Sequence, residues 1–135
     1  VLKKGGIESD TADLTTVRVN TIVEKIQFDV KEFEVKAGKK IKLILVNPDF
    51  MPHNFVIVKP GTADSVAAAA IALGADGFKK NFVPDDSNIL AATRLLDNKQ
   101  EQAIEFTAPT EAGDYPFICT FPGHAILMRG VMKVK

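Results

Sequence analysis

Residues 40–47, KIKLILVN, place Ile41, Leu43 and Leu45 on one face of an extended chain. A two-residue period of this kind marks a strand that turns one side to a core. The same character recurs on both sides of it. Upstream lie TTVRVNTIV (15–23), IQFDV (26–30) and FEV (33–35), the last joined to KIKLILVN through an Ala37-Gly38 turn. Downstream, HNFVIV (53–58) ends at Lys59-Pro60-Gly61, a strong turn signal. AIEFTA (103–108), DYPFIC (114–119) and GVMKV (130–134) follow, separated by turns at Ala108-Pro109 and Ala112-Gly113. About seven or eight short strands at this spacing predict an all-β, two-sheet sandwich.

The middle of the chain changes period. Val66, Ala69, Ala70 and Leu73 recur at helical spacing, with Thr62 or Asp64 as N-cap and Gly74 just beyond the end. A second short helix is expected to start at Asp86 or Ser87 and cover ILAATRLL (89–96), with GADGFKKNFVP (74–84) as a loop pinned by Phe78 and Phe82. This segment reads as a helical flap over one end of a sheet. Residues 1–13 are polar and aperiodic, so they are expected to form a mobile or linker-like lead-in to a domain spanning 14–135. The start of the chain has neither an initiator methionine nor an apolar signal core, as expected either of a chain whose leader has been removed or of a domain cut from a longer protein.

Bulk properties narrow the function. The 135 residues suit one domain, and seventeen basic side chains balance seventeen acidic ones. No basic field is present to attract a phosphate backbone, so nucleic acid is not the expected partner. No stretch reaches the roughly 20 apolar residues of a membrane helix.

The chain has one Cys and two His. C-T-F-P-G-H-A-I-L-M brings Cys119, His124 and Met128 into one loop between two expected strands, and His53 stands at a strand start that can reach the same pole. Singly, each has an ordinary structural reading: a buried thiol, a hydrogen-bonded histidine, a methionine filling the core. Together, a thiolate, two imidazoles and a thioether form a soft ligand set suited to copper cycling between Cu(I) and Cu(II). Around them, Asn54 is placed to bond Thr120 and tie the two ligand segments together. Backbone N–H groups near Asn54 and Phe121 are placed to donate to the thiolate. Pro52 removes an N–H just before His53.

At this point a resemblance is evident. CTFPGHAILMRG (119–130) resembles the copper loop of azurins and auracyanins, and MPHNFVIV (51–58) resembles their upstream histidine strand. The resemblance runs from about Val17 onward. It implies an eight-stranded Greek-key cupredoxin sandwich with an inserted helical flap, and the ligand set His53, Cys119, His124 and Met128 for one type 1 copper ion. The stretch containing GADGFKKNFVPD also resembles azurin-like domains of larger exported bacterial redox proteins. A periplasmic or other extracytoplasmic location follows from the resemblance, with membrane tethering through segments beyond this chain. Azurins carry glycine where this chain has Pro52, and a disulfide and a tryptophan that it lacks, with Phe55 available to fill core space.

The expected function is one-electron transfer, not catalysis, through the edge of His124. Phe50, Met51, Pro122, Gly123, Ala125, Ile126 and Leu127 would form an apolar patch for weak docking of a redox partner: a cytochrome, another electron carrier, or a companion domain of the same parent chain. A copper oxidase needs further histidines that this chain does not have. A copper-handling or storage protein, and a structural domain with a vacant or zinc-filled site, remain as alternatives.

Overall fold

The structure, a computed structural model, describes residues 2–135. Nine strands and one α-helix follow in the order β1 (Gly6–Asp10), β2 (Thr15–Asn20), β3 (Glu32–Val35), β4 (Lys40–Asn47), β5 (Val56–Val58), α1 (Ala63–Ala72), β6 (Ile89–Ala92), β7 (Gln100–Thr107), β8 (Gly113–Ile118) and β9 (Arg129–Val134). They form two facing sheets, ordered β1-β2-β4-β7 and β3-β9-β8-β5-β6. β2 runs parallel to β4 and β3 parallel to β9, while the other neighbours are antiparallel. The chain changes sheet after β2, β3, β4, β6 and β7: this is the two-sheet sandwich the strand pattern led to, with the Greek-key topology the resemblance implied.

The alternation in KIKLILVN is the reason β4 is central. Ile41, Leu43 and Leu45 are completely buried and meet Val17 and Val19 of β2 in one core. An aromatic cluster belongs to the same core. Phe55 stacks on Phe117 with centroids 4.7 Å apart, Phe33 stacks on Phe117 at 5.7 Å, and Phe28 meets Phe55 and Phe117 edge-on. Each buried phenylalanine contributes about 1.5–3 kcal/mol. Phe55 does occupy core space, as its position suggested.

Four expectations change. Residues 6–10 are not a loose lead-in. They pair with β2, and Glu8 meets Arg18 at 2.6 Å while Lys39 reaches both Asp10 and the Thr11 carbonyl. This edge strand is mostly exposed and polar, so no apolar alternation betrays it. Val1, the first residue of that expected lead-in, lies outside the described residues. ILAATRLL is not a helix, because Ala91 and Ala92 pair with Ile57 and Val56 at the sheet edge. Tertiary pairing here overrides alanine and leucine helix propensity. IQFDV is not a regular strand. It begins at a turn in which Glu24 (φ 65°) and Ile26 (φ 50°) are left-handed, and it makes an isolated Thr21–Phe28 bridge, an Asp29 N–H bond to the Asn20 carbonyl at 2.8 Å and the core contacts of buried Phe28. Of HNFVIV only Val56–Val58 is regular strand, and His53 makes an isolated bridge with Leu96.

α1 lies where the stripe placed it, burying Ala63, Val66 and Ala70. Thr62 stands at its N-cap, but the hydroxyl bonds back to the Lys59 carbonyl at 2.7 Å instead of capping the helix. Two short 3-10 turns, Gly74–Asp76 and Phe78–Lys80, carry the flap on towards the pole that holds His53 and Cys119. No helix among the described residues is long and apolar enough to cross a membrane.

Candidate metal centre

β8 ends at Ile118, so Cys119 emerges at the pole of the sandwich, next to the segment that enters β5. The loop from 119 to 128 closes on itself. The Cys119 N–H donates to the Met128 carbonyl at 3.0 Å, and the Met128 N–H donates to the His124 carbonyl at 2.8 Å. Gly123 takes φ 86°, a left-handed turn that glycine adopts without strain, and His124 swings back over the thiol. His53 arrives from the other segment, fixed by reciprocal backbone hydrogen bonds with Leu96 at 3.1 and 2.8 Å.

The result is a buried triangle. Cys119 Sγ lies 3.8 Å from His53 Nδ1 and 3.7 Å from His124 Nδ1, and all three donor atoms fall within 4.8 Å of one another. A first-row ion bonded to sulfur at about 2.3 Å and to nitrogen at about 2.0–2.1 Å in a trigonal plane sets S and N about 3.8 Å apart. The two sulfur-to-nitrogen edges therefore suit an ion bonded to Cys119 and both histidines. Met128, fully buried, ends the same loop.

Electrostatics leave two ligands ready and one protonated. Burial, assisted by the neighbouring His53, holds His124 down to about 4, and burial also lowers His53 against the pull of Asp49. Both imidazoles are thus neutral at pH 7. Burial pushes the Cys119 thiol up to about 11, although the backbone N–H groups of Asn54 and Phe121 both favour its thiolate. An incoming cation must expel that proton.

The supporting residues are those the sequence placed near the site. Asn54 Oδ1 accepts from the Thr120 N–H at 2.8 Å, and its Nδ2 donates to Thr120 Oγ1 at 2.8 Å. The same Nδ2 donates to the Asn81 carbonyl at 2.9 Å, and Thr120 Oγ1 donates to the Phe82 carbonyl at 2.6 Å. Pro52 is half-buried beside His53. Phe121 packs on His124 with centroids 4.8 Å apart.

Three connections escaped the sequence. Asp49, 1% exposed, meets His53 Nε2 at 2.7 Å. Asn47 bonds the Met51 and Leu96 carbonyls, bracing the turn that delivers His53. Asn81 and Phe82 link the flap to the cysteine loop. Only Asp49 gave a signal, a carboxylate four residues before a candidate ligand.

Of the apolar patch, Phe50, Ile126 and Leu127 are 75%, 81% and 58% exposed, and Pro122 and Gly123 are exposed with them. Met51 is half-buried. Ala125 is not part of that surface. It is 7% exposed and packs inward in a small core shared with Val66 of α1 and Ile118 of β8.

Known proteins are similar to this chain in sequence and fold. Residues 15–135 match the family described as copper binding proteins, plastocyanin/azurin family. Auracyanin-A of Chloroflexus aurantiacus is 36% identical over 122 residues, covering 89% of this chain and 74% of that one. Azurin of Pseudomonas aeruginosa is 31% identical over 120 residues, covering 83% and 80%. The solved structure of reduced auracyanin from Roseiflexus castenholzii superposes with a TM-score of 0.82 at 36% identity, covering 93% of this chain and 99% of that one. With a family match over nearly the whole chain, this fold and this donor set, the chain belongs to the plastocyanin/azurin family of copper-binding proteins.

Proposed function

We propose that this chain is a one-electron carrier whose type 1 copper ion is held by His53 Nδ1, Cys119 Sγ, His124 Nδ1 and Met128. The observation that carries the reading is the buried triangle, with sulfur-to-nitrogen separations of 3.7 and 3.8 Å that suit a trigonal plane. A bound copper ion would supply a one-electron couple between Cu(I) and Cu(II). Every other part of the account belongs to the protein. The closed 119–128 loop and the Asn54–Thr120 clamp hold the donors in fixed positions, so little has to move between oxidation states. The N–H groups of Asn54 and Phe121 stabilise the thiolate. With three buried donors and Met128 beneath the surface, substrate has no entry, which supports a carrier and not an enzyme.

His124 is the ligand beside the exposed apolar residues. Its loop carries Ile126 and Leu127, and Phe50 projects from the loop that precedes His53. We assign docking of a redox-protein partner to this surface (Phe50, Met51, Pro122, Gly123, Ile126, Leu127), through a small transient contact. The working compartment we propose is the periplasm or its equivalent, an assignment that rests on the family resemblance.

The test is to load the protein with one equivalent of copper and cycle it repeatedly between reductant and oxidant with a Cu(I) chelator present. Full recovery of the oxidised spectrum over many cycles is expected. Loss of the ion to the chelator at the first reduction would instead identify a copper-handling protein.

A further inference from the structure

Asp49 is a buried carboxylate with its hydrogen bonds fully engaged. Oδ2 lies 2.7 Å from His53 Nε2, and Oδ1 accepts from the backbone N–H groups of Phe50 at 2.9 Å and Glu24 at 3.1 Å. Its own backbone is fixed as well. The Asp49 N–H donates to Asn47 Oδ1 at 3.1 Å, and its carbonyl accepts from Asn98 Nδ2 at 3.0 Å. The Glu24 contact comes from the turn in which Glu24 and Ile26 hold left-handed φ, so that turn is shaped to present an N–H to this carboxylate. Three nitrogen groups at 2.7–3.1 Å surround the carboxylate, the surroundings that favour its ionised form.

An ionised carboxylate only accepts hydrogen bonds, so His53 Nε2 must carry the proton. The Nδ1 lone pair is thereby left facing Cys119 Sγ. The charge has a further consequence. A divalent ion with one thiolate and one buried carboxylate is neutral, whereas the monovalent ion in the same site leaves a net negative charge. In a medium of low effective dielectric that difference favours the oxidised ion.

Resting on the copper reading above, we propose that Asp49 is a positioning residue that commits His53 to coordination through Nδ1, and that its buried negative charge lowers the reduction potential of the site. Asp49 takes no part in the electron transfer and exchanges no proton in it.

Two measurements decide this. The first uses metal-free, unaltered protein, with ring nitrogen NMR shifts of His53 at pH 7. A protonated Nε2 and a bare Nδ1 are expected, and an Nδ1–H tautomer or an even mixture would overturn the positioning role whatever the metal proves to be. The second compares copper-loaded protein with Asp49→Asn, which keeps an acceptor and removes the charge. At a fixed applied potential the ratio of oxidised to reduced protein should fall roughly tenfold or more, about 59 mV upward for one electron. An unchanged potential in folded variant would overturn the electrostatic role, since a merely structural residue would move only the melting temperature. If unaltered protein fails to form a copper–thiolate site at all, the copper reading falls and the charge proposal with it, while the His53 tautomer result still stands.

Discussion

Asn54 grips Thr120 at two points, its Oδ1 on the Thr120 N–H and its Nδ2 on Thr120 Oγ1, both at 2.8 Å. These residues are 66 apart in sequence, and each adjoins a proposed ligand. The pair therefore locks the His53 segment against the Cys119 loop, and through Asn81 and Phe82 it holds the flap down on both. Asn54→Ala leaves the buried Thr120 N–H without a partner. Metal-free Asn54→Ala should lose about 2–4 kcal/mol of folding stability, read from urea denaturation. A loss below about 0.5 kcal/mol would show that the clamp is not a structural joint.

Gly130 marks a close approach of the backbone to the aromatic core. A Cβ there would stand 2.3 Å from Phe117 Cζ and 2.5 Å from the Lys31 carbonyl oxygen. Neither can retreat, since the ring is stacked in the aromatic core and the carbonyl accepts the Val131 N–H at 2.9 Å. Gly130→Ala should destabilise the protein by about 1–3 kcal/mol, again read by urea denaturation. Stability equal to that of unaltered protein would contradict the packing described.

The metal-free protein should weaken in mild acid. His124 is held to about 4 when folded, against 6.5 as its ordinary value, so between these pH values the unfolded chain binds a proton that folded His124 refuses. The stability is complete above pH 6.5 and is lost as pH falls towards 4. His53, also lowered by burial, acts in the same direction. The loss attributable to His124 is on the order of 3 kcal/mol between pH 7 and 4. Urea midpoints across this range should show it, and His124→Gln should flatten the curve. An unaltered slope in that variant would refute the assignment.

How much of this was legible from the sequence depended on whether the signal was local. The β4 alternation and the helical stripe of α1 are local patterns, and both survived into the structure. The donor set was legible because the only cysteine and one histidine share a short loop and the other histidine stands just before a strand. β1 was hidden because an edge strand bonded by Arg18 and Lys39 needs no apolar face. β6 was hidden because ILAATRLL has helical composition and becomes a strand only by pairing with β5. Asp49 and Asn47 were hidden for a related reason. Asn-Pro-Asp reads as a surface turn, and nothing local reveals that a distant segment buries it.

Ile126 is the most exposed large apolar residue of the proposed docking surface, at 81%. Ile126→Lys should therefore alter stability by no more than about 0.5 kcal/mol and leave the copper spectrum intact. Electron transfer with the physiological partner, followed by stopped flow, should slow several-fold. An unchanged rate would remove this face from the docking account.

The central claim is that Cys119 thiolate and the two histidines bind copper together. The most direct measurement is the visible spectrum and electron paramagnetic resonance of purified protein given one equivalent of Cu(II), beside Cys119→Ser. An intense blue thiolate-to-copper band with narrow copper hyperfine splitting, absent from Cys119→Ser, is the expected result. A colourless or pale sample from folded protein with a free thiol would contradict the account.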